Sequence, residues 1–231
     1  MSLFMSTNLV CPECEALIVM DAVGSVNADR RPDLRDDIMN NQFQDITCPS
    51  CDSSFRLQPN FNYLDAGRGQ WIAGMPTSQF PDFERIGQEV SDLFDSSYGV
   101  KAPAAAQSVG EGLDVRLTFG WPAIREKLLA REKDLDDVTL ELLKLELMRR
   151  VPEAPFGDDI ELRLVNVQGD LMTFVWYNSE TEDVINDFVV RYALYEEVAN
   201  AQEAWASLRA RLEDSIFVDM RKLFMGNEAA A

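Results

Sequence analysis

The chain has 231 residues, 46% of them hydrophobic, and a formal net charge of −19, so it can bury the core of one large or two small domains. It contains no histidine, which excludes Ser-His and Cys-His nucleophiles, mixed Cys/His metal sites and the commonest general base. Because the acidic charge is spread over both halves of the chain, with −9 in residues 1–100 and −10 in the remainder, nucleic acid and anionic membrane are disfavoured as partners.

The first hundred residues predict a small β-rich region with an inserted helix. Apolar and β-branched runs between turn residues indicate strands, and apolar residues spaced three and four apart indicate helices. The predicted elements are a strand over 16–26, a turn over 27–32, a short helix over 34–40 capped by Asp33, extended segments over 43–47, 54–57 and 60–65, a hairpin partner over 70–73, and a helix after Pro81 that contains Phe83, Ile86, Val90, Leu93 and Phe94.

Residues 101–112 (KAPAAAQSVGEG) are small in type and lack apolar periodicity, which predicts a linker. We therefore expect a first domain over residues 8–100 and a second over residues 113–225. The second is predicted to contain a strand over 115–119, a helix from Pro122 to about Glu132, a second helix capped within 134–137 and ending near Arg150, a hairpin of 160–167 with 171–177, a third strand over 185–191, and an amphipathic helix over 195–211.

The four cysteines form two matching Cys-Pro-x-Cys pairs, Cys11 with Cys14 and Cys48 with Cys51. A two-residue gap lets both thiolates of a pair reach one ion, and two such pairs complete the tetrahedral shell that zinc prefers. Proline suits the tight turn of a zinc knuckle at a position whose amide is not required. The sequence therefore predicts a closed structural zinc site, with iron as an alternative ion, because a four-thiolate tetrahedron accepts either.

The residue after the second cysteine of each pair departs from the usual knuckle. This position favours a left-handed backbone conformation and is often glycine, but here it is Glu15 in one pair and Asp52 in the other. Because Asp tolerates that conformation better than Glu does, the first knuckle is expected either to be slightly strained or to turn differently. Both side chains also place negative charge beside the thiolates.

An enzyme is the main alternative to a structural site. Cys-Pro-x-Cys also occurs in thiol oxidoreductases, whose nucleophilic cysteine begins a helix, but the residues after Cys14 indicate a strand, and a second identical pair would be surplus. Carboxylate clusters could support a metal-dependent reaction, although such clusters are usually helix caps or solvated turns. These clusters are Asp136-Asp137, Asp158-Asp159 and Glu180-Thr181-Glu182-Asp183.

Aromatic and basic side chains are interpreted as structural. The residues expected in the core are Trp71, Trp121, Trp176 and Trp205. Four basic residues alternate with acids on one predicted helix, so we expect them to be ion-paired and solvated. They are Arg125, Lys127, Arg131 and Lys133. The predicted strand 171–177 has apolar residues on both faces, which must be covered internally or by a partner. A homodimer is therefore one of the expected arrangements.

The chain resembles the CpXC proteins, a bacterial and archaeal family named for its paired Cys-Pro-x-Cys motifs. The similarity extends beyond the cysteines to VNADRRPDLRDDIMNNQFQDITCPSC at 26–51, FNYLDAGRGQW at 61–71 and FGWPAIREKLLAREKDLDDVTLELLK at 119–144. It covers residues 8 to about 220. The resemblance implies a zinc-binding module without an assigned reaction.

These observations predict an α+β protein with an N-terminal zinc-ribbon-like β domain that contains a short helix, followed by an α+β domain with an antiparallel sheet and amphipathic helices. The expected function is a zinc-stabilised adaptor that contacts a protein partner, with an enzyme second and nucleic-acid binding third. No run approaches the ~18 apolar residues of a membrane span, and the first residues lack the features of a signal peptide. We therefore expect a cytoplasmic protein without membrane contact, in which the cysteines stay reduced.

Overall fold

A computed structural model of the chain describes residues 2–151, 155, 157 and 159–225. In this part of the chain, ten strands and seven α-helices form mixed and antiparallel sheets with packed helices, which confirms the predicted α+β class. Contacts divide the chain into two units, Met1–Phe80 with Asp92–Trp121 and Pro81–Ser91 with Pro122–Ala231.

The first unit consists mainly of strands. Its elements are β1 (Leu3–Val10), β2 (Leu17–Asn27), α1 (Pro32–Met39), β3 (Asp45–Thr47), β4 (Ser54–Arg56), β5 (Phe61–Asp65), β6 (Gln70–Met75), α3 (Ala104–Gly110) and β7 (Asp114–Phe119). A 3-10 helix (Thr77–Asp82) and helix α2 (Phe83–Ser97) cross the division between the units. The sheet order is β1-β2-β5-β6-β7, and β3-β4 forms a separate two-stranded sheet.

The large sheet is mixed. Strand β1 is antiparallel to β2 and β5 is antiparallel to β6, whereas β2 pairs with β5, and β6 with β7, in parallel. Each parallel pair requires a long connection, and helix α1 lies within the first of these connections and α3 within the second. The β3-β4 hairpin is also part of the first connection.

The chain divides differently from the expected domains 8–100 and 113–225. The predicted linker 101–112 contains helix α3, and β7 continues the sheet of the first unit by pairing with β6 from Gln70↔Asp114 to Met75↔Phe119. The physical reason is burial, since Leu117 and Phe119 of β7 are 1% and 0% exposed. Local composition does not reveal which sheet such a strand joins.

An aromatic cluster anchors the β3-β4 hairpin within the first unit. The ring of Phe43 lies 5.4 Å from that of Phe61 and 5.6 Å from that of Trp121. Trp121 donates its indole N–H to the Leu57 carbonyl at 2.8 Å, and the Arg56 guanidinium lies 4.9 Å from the Trp121 ring. Because Arg56 ends β4 and Leu57 follows it, these contacts fix the hairpin by aromatic packing and a cation–π contact.

Helix α1 begins earlier than predicted. Pro32 opens the helix, so Asp33 lies in its first turn and is not the cap. Proline suits this position because its missing amide would have no partner inside the helix. Asp33 instead accepts hydrogen bonds from the guanidinium of Arg31, with a shortest N–O distance of 2.6 Å.

The second unit contains a three-stranded antiparallel sheet and four further helices. Its elements are α4 (Trp121–Glu132, of which Trp121 belongs to the first unit), α5 (Asp137–Arg150), β8 (Ile160–Gln168), β9 (Leu171–Asn178), β10 (Val184–Arg191), α6 (Tyr192–Asn200), α7 (Gln202–Glu213) and a 3-10 helix (Met220–Leu223). The strand order is β10-β9-β8, which confirms the predicted hairpin and third strand.

Two helix predictions in this unit have different outcomes. Asp136 is the N-cap of α5 and accepts a hydrogen bond from the Thr139 amide at 2.7 Å, as the sequence predicts. The single helix expected over 195–211 is wrong, because the helix is interrupted at Ala201. Its ψ of 43° lies outside the α-helical range.

The second unit buries an ion-pair network centred on Arg163 of β8. Its guanidinium lies 2.9 Å from Glu126, 2.5 Å from Glu161 and 2.7 Å from Asp219. These four side chains are at most 5% exposed. Such charges can stay buried only when each is paired and hydrogen-bonded.

Lys144 of α5 extends the network to the C-terminal 3-10 helix. Its Nζ lies 2.6 Å from Glu126 and 2.8 Å from Glu141. The second carboxylate oxygen of Glu141 accepts the backbone N–H of Met220 at 2.9 Å. The network therefore joins α4, α5, β8 and the C-terminal segment through both side-chain and main-chain groups.

The prediction of a solvated basic surface on α4 is wrong for Lys127. This side chain is 4% exposed, and its Nζ lies 2.8 Å from Asp137 and 2.7 Å from the Val218 carbonyl. Helix α4 has buried residues on all sides, including Ile124, Leu128 and Leu129, so there is no solvated face at Lys127.

None of the helices in the described part of the chain has the length and apolar character of a membrane span.

Candidate metal centre

The first cysteine pair lies in the loop of the β1-β2 hairpin. The last paired residues are Val10 and Leu17, so the loop spans residues 11–16. The Cys11 amide donates to the Ala16 carbonyl at 2.9 Å, and the Glu15 amide donates to the Cys11 carbonyl at 3.0 Å. These two hydrogen bonds close a tight turn that contains both cysteines.

The second pair lies in an equivalent loop between β3 and β4, where Thr47 and Ser54 are the last paired residues. The Cys48 amide donates to the Ser53 carbonyl at 2.8 Å, and the Asp52 amide donates to the Cys48 carbonyl at 2.9 Å. The two knuckles thus have the same hydrogen-bond pattern at the same positions. Each is the tip of a β-hairpin.

The residues after the second cysteines have left-handed backbone conformations. The φ angle is 59° at Glu15 and 57° at Asp52. The first knuckle therefore turns in the same way as the second. Of the two expectations for Glu15, a strained turn or a different turn, the structure shows the strained one. Both residues carry the steric cost of this conformation, and Asp tolerates it better than Glu.

The fold brings all four predicted cysteines together. Their Sγ atoms lie within 4.8 Å of one another, with 3.7 Å between Cys11 and Cys51 and 3.7 Å between Cys14 and Cys48. A disulfide would require about 2.05 Å, and the four cysteines are free thiols. A Zn–S bond of about 2.3 Å gives a tetrahedron whose edges are about 3.8 Å, so the cluster fits a tetrahedral ion.

One cysteine of each pair is buried and the other is exposed. Cys11 and Cys48 are 0% exposed and pack with Ile18 and Ile46 in a small apolar cluster, whereas Cys14 and Cys51 are exposed. Partly buried residues that line this cluster are Leu9, Ala16, Met20, Phe55 and Leu57. The two hairpins therefore share very little apolar core beneath the cysteines.

Gln44 and Ser53 support the site from outside the four cysteines. Gln44 precedes β3, and its Oε1 accepts the Val23 amide of β2 at 2.8 Å, which ties one hairpin to the other. The Ser53 hydroxyl lies 3.1 Å from the Sγ of Cys51 and 3.4 Å from that of Cys11. The sequence reasoning missed both residues. Ser53 could have been predicted to lie near the sulfurs, because it directly follows Asp52 in the second knuckle.

Neighbouring hydroxyl, amide and thiol groups shift the pKa values of Cys11, Cys51 and Cys14. The Ser53 hydroxyl, acting against burial, lowers the pKa of Cys11 to about 6, and it also lowers the pKa of Cys51. The Ala16 amide favours the Cys14 thiolate, but the neighbouring Cys51 and burial outweigh it and raise the pKa of Cys14 to about 12. Thiols in such contact cannot all ionise by themselves, whereas a bound dication favours the thiolate form of each ligand.

The other residues considered as sites do not form a second cluster of this kind. Asp136 caps α5 and Asp137 pairs with Lys127. Glu180 and Thr181 lie in an exposed turn, which Glu182 and Asp183 follow. Asp158 lies outside the described residues, and Asp159 accepts a hydrogen bond from Asn178. Among the residues that the structure describes, the four cysteines are the one group of His, Cys, Asp or Glu side chains with metal-ligand spacing.

The predicted core tryptophans are mostly buried. Trp71, Trp121 and Trp176 are 3%, 1% and 3% exposed, which confirms three of the four expectations. Trp205 of α7 is half-buried. None of these rings is among the residues that line the cysteine cluster, and Trp121 reaches that lining only through its hydrogen bond to the Leu57 carbonyl.

The fold and the site together define an α+β protein with two cysteine knuckles that can hold one metal ion. The chain belongs to the CpXC family, because the family model described as CpXC protein matches residues 9–144, more than half of the chain and all four cysteines. No curated protein and no solved structure matches the chain.

Proposed function

We propose that the chain binds one zinc ion through Cys11, Cys14, Cys48 and Cys51 and that the ion clamps the β1-β2 hairpin to the β3-β4 hairpin. The observation that carries this proposal is the 3.7 Å spacing of Sγ atoms across the two knuckles, close to the ~3.8 Å edge of a zinc tetrathiolate. Zinc suits four sulfur ligands in a tetrahedron. Iron is the alternative ion, because the same ligands accept it.

A structural role is favoured over a catalytic one because four cysteine sulfurs fill a tetrahedral shell and leave no open position. The chain also has no histidine to serve as a base. Both knuckles lie in hairpin loops, whereas a redox Cys-Pro-x-Cys pair uses a helix start to lower its pKa. The geometry therefore supports a folding role more strongly than thiol chemistry.

The small core beneath the knuckles explains what the ion would contribute. Of the four buried residues in that cluster, Cys11 and Cys48 are themselves proposed ligands, which leaves Ile18 and Ile46. Two apolar side chains contribute only about 3–6 kcal/mol by burial. Metal binding contributes directly to folding free energy in such sites, so the loops should depend on the ion.

The test is metal analysis of the purified full chain, with Cys48→Ser as the variant and Ser50→Ala as a matched control in the same knuckle. We expect one zinc per chain in the wild type and in Ser50→Ala, and loss of zinc in Cys48→Ser. Chelation should accelerate amide hydrogen exchange in β1 to β4, with amides of β8 and β9 as the internal reference. A metal-free wild type with slow exchange in β1 to β4, or a fully loaded Cys48→Ser, would refute the proposal.

We propose that the surface for a protein partner is the β1-β2 hairpin. Strand β1 is an edge strand, with β2 as its one neighbour in the sheet order of the described residues. Large apolar side chains are exposed on this hairpin, with Leu17 at 68%, Val19 at 66% and Val10 at 61%. An exposed edge and an apolar patch favour association with another chain.

We propose that a second copy of this chain occupies that face, because the face itself carries little charge. Copies with a net charge of −19 repel each other, so self-association requires a surface with few charges. Strands β1 and β2, with 8 and 11 residues, carry one charged side chain, Asp21. A symmetric dimer would bury the same face of both copies.

Sedimentation of the zinc-loaded chain over a range of concentrations tests this part of the proposal. We expect a dimer for the wild type and a monomer for Val19→Glu. The matched control is Val189→Glu, which introduces the same charge at a 53% exposed valine of β10 and should stay dimeric. A wild-type monomer at every concentration, or equal dissociation of both variants, would contradict it without affecting the zinc site.

A further inference from the structure

The two knuckles differ chemically at one equivalent position. The carbonyl that accepts the amide of the first cysteine belongs to Ala16 in the first knuckle and to Ser53 in the second. The second knuckle therefore carries a hydroxyl where the first carries a methyl group. This difference divides the four sulfurs into two kinds.

The Ser53 hydroxyl contacts two of the sulfurs. Its hydroxyl lies 3.1 Å from the Cys51 Sγ and 3.4 Å from the Cys11 Sγ, and it can donate its single proton to either thiolate. A hydrogen bond of this kind withdraws electron density from the sulfur and lowers its nucleophilicity. Among the described residues, the side chain within hydrogen-bond distance of the Cys14 Sγ is that of Cys48, at 3.7 Å, and not a hydroxyl.

Access divides the sulfurs in a second way. Cys11 and Cys48 are 0% exposed, so a reagent in solution cannot reach them while the loops are folded. Cys14 and Cys51 are exposed. Both thiolates have a backbone amide donor, from Ala16 at Cys14 and from Ser53 at Cys51. Cys51 also has the Ser53 hydroxyl, which Cys14 lacks, so Cys14 is the accessible sulfur with fewer hydrogen-bond donors.

We infer that Cys14 is the ligand at which the metal site reacts with soft electrophiles, an inference that rests on the proposed four-thiolate zinc site. With an alkyl halide such as iodoacetamide, the Cys14 sulfur attacks the carbon, an S–C bond forms, and the C–I bond breaks to release iodide. No oxidant takes part. The product is a neutral thioether, so the site keeps three anionic ligands and holds its ion less tightly.

The exchange of Ala16 and Ser53 gives a matched pair of variants. Ser53→Ala gives the second knuckle the methyl group of the first, and should raise the alkylation rate of Cys51 toward that of Cys14. Ala16→Ser gives the first knuckle the hydroxyl of the second, beside Cys14 and Cys48 by the equivalence of the loops. It should lower the rate at Cys14 toward that of Cys51.

The experiment is limited alkylation of the zinc-loaded full chain with iodoacetamide, followed by peptide mass spectrometry at each time point and by zinc release to a chromophoric chelator. We expect Cys14 to react several-fold faster than Cys51, Cys11 and Cys48 to react last, and zinc release to follow Cys14. Faster reaction at Cys51 in the wild type, equal rates at both exposed cysteines in the wild type, or an unchanged ratio of the two rates in the variants would overturn the inference. Zinc content is measured beforehand, and a value well below one per chain would instead refute the zinc site itself.

Discussion

Glu15 and Asp52 occupy the same position in the two knuckles and hold nearly the same left-handed backbone conformation, with φ angles of 59° and 57°. Each donates its amide to the carbonyl of the first cysteine of its knuckle, so this conformation is part of the turn that aims the thiolates. A residue with a Cβ pays a steric penalty there that glycine does not.

Glu15→Gly should therefore stabilise the zinc-loaded protein by about 1 kcal/mol, measured as the free energy of unfolding in denaturant. Asp52→Gly should give a smaller gain, because Asp tolerates the left-handed region better. Glu15→Ala removes the same charge but keeps the Cβ, so it separates the backbone effect from electrostatics. Equal gains for Glu15→Ala and Glu15→Gly would show that charge, not conformation, is the cause.

Arg163→Met should destabilise the second unit by about 3–5 kcal/mol, because it leaves the buried carboxylates of Glu126, Glu161 and Asp219 without their shared partner. Arg150→Ala is the control, since it removes an ion pair with Glu146 at the exposed C-terminal end of α5 and should cost less than about 1 kcal/mol. The free energies are obtained from amide exchange in β8 and β9. Similar losses for both variants would contradict a structural role for the network.

The network should also make the second unit sensitive to acid. Burial alone would raise the pKa of Asp219, but Arg163, Arg221 and Lys144 outweigh it and hold the pKa well below its usual range. The pKa of Glu126 is lowered in the same way by Lys144 and Arg163. A carboxyl with a lowered pKa stabilises the fold above its unfolded pKa of about 4, and this stability is lost as the pH falls.

We therefore expect the free energy of opening at β8 and β9 to decrease as the pH falls from about 5 toward 3, and Asp219→Asn to flatten that dependence. Glu141 acts in the opposite sense, because burial raises its pKa and its contribution becomes less favourable as the pH rises. Measurement in β8 and β9 keeps the readout on strands that contain none of the cysteines. An unchanged slope in Asp219→Asn would contradict the assignment to this carboxyl.

The hydrogen bond from the Met220 backbone N–H to the Glu141 carboxylate can be removed with little change in the backbone. Its contribution to stability can therefore be measured. Met220 is the first residue of a 3-10 helix, after Asp219 in an extended conformation, so proline is compatible with both backbones. Met220→Pro removes the N–H that Glu141 accepts at 2.9 Å, whereas Met220→Ala keeps it and removes a similar amount of side chain. We expect the proline variant to be less stable than the alanine variant by about 1–3 kcal/mol.

The knuckles were predictable because their chemistry is local. The spacing within each Cys-Pro-x-Cys pair, the proline, and the left-handed position after the second cysteine are all properties of a few adjacent residues. The β5-β6 hairpin and the β8-β9 hairpin were predictable for the same reason, since turn residues separate two apolar runs. Strand β1 was missed, because its sequence LFMSTNLV alternates poorly and it pairs as an exposed edge.

The remaining features of the fold depend on long-range contacts, which could not be predicted from the sequence. Asp114–Phe119 is a strand by its own composition, but its partner β6 lies across α2 and α3, and local patterns do not give that pairing. Glu141 and Lys144 look like solvated residues in a helix, yet both are 0% exposed. The available signal was the distribution of leucines around α5, since a helix that is apolar on all sides buries its charged residues too.

The most direct test of the four-cysteine zinc site is X-ray absorption at the zinc edge of the purified full chain, because it reports both the identity and the distance of the ligands. We expect each zinc ion to have four sulfur neighbours at about 2.3 Å and no nitrogen or oxygen neighbour. A shell that contains nitrogen or oxygen, or fewer than four sulfurs around the ion, would contradict a closed site formed by Cys11, Cys14, Cys48 and Cys51.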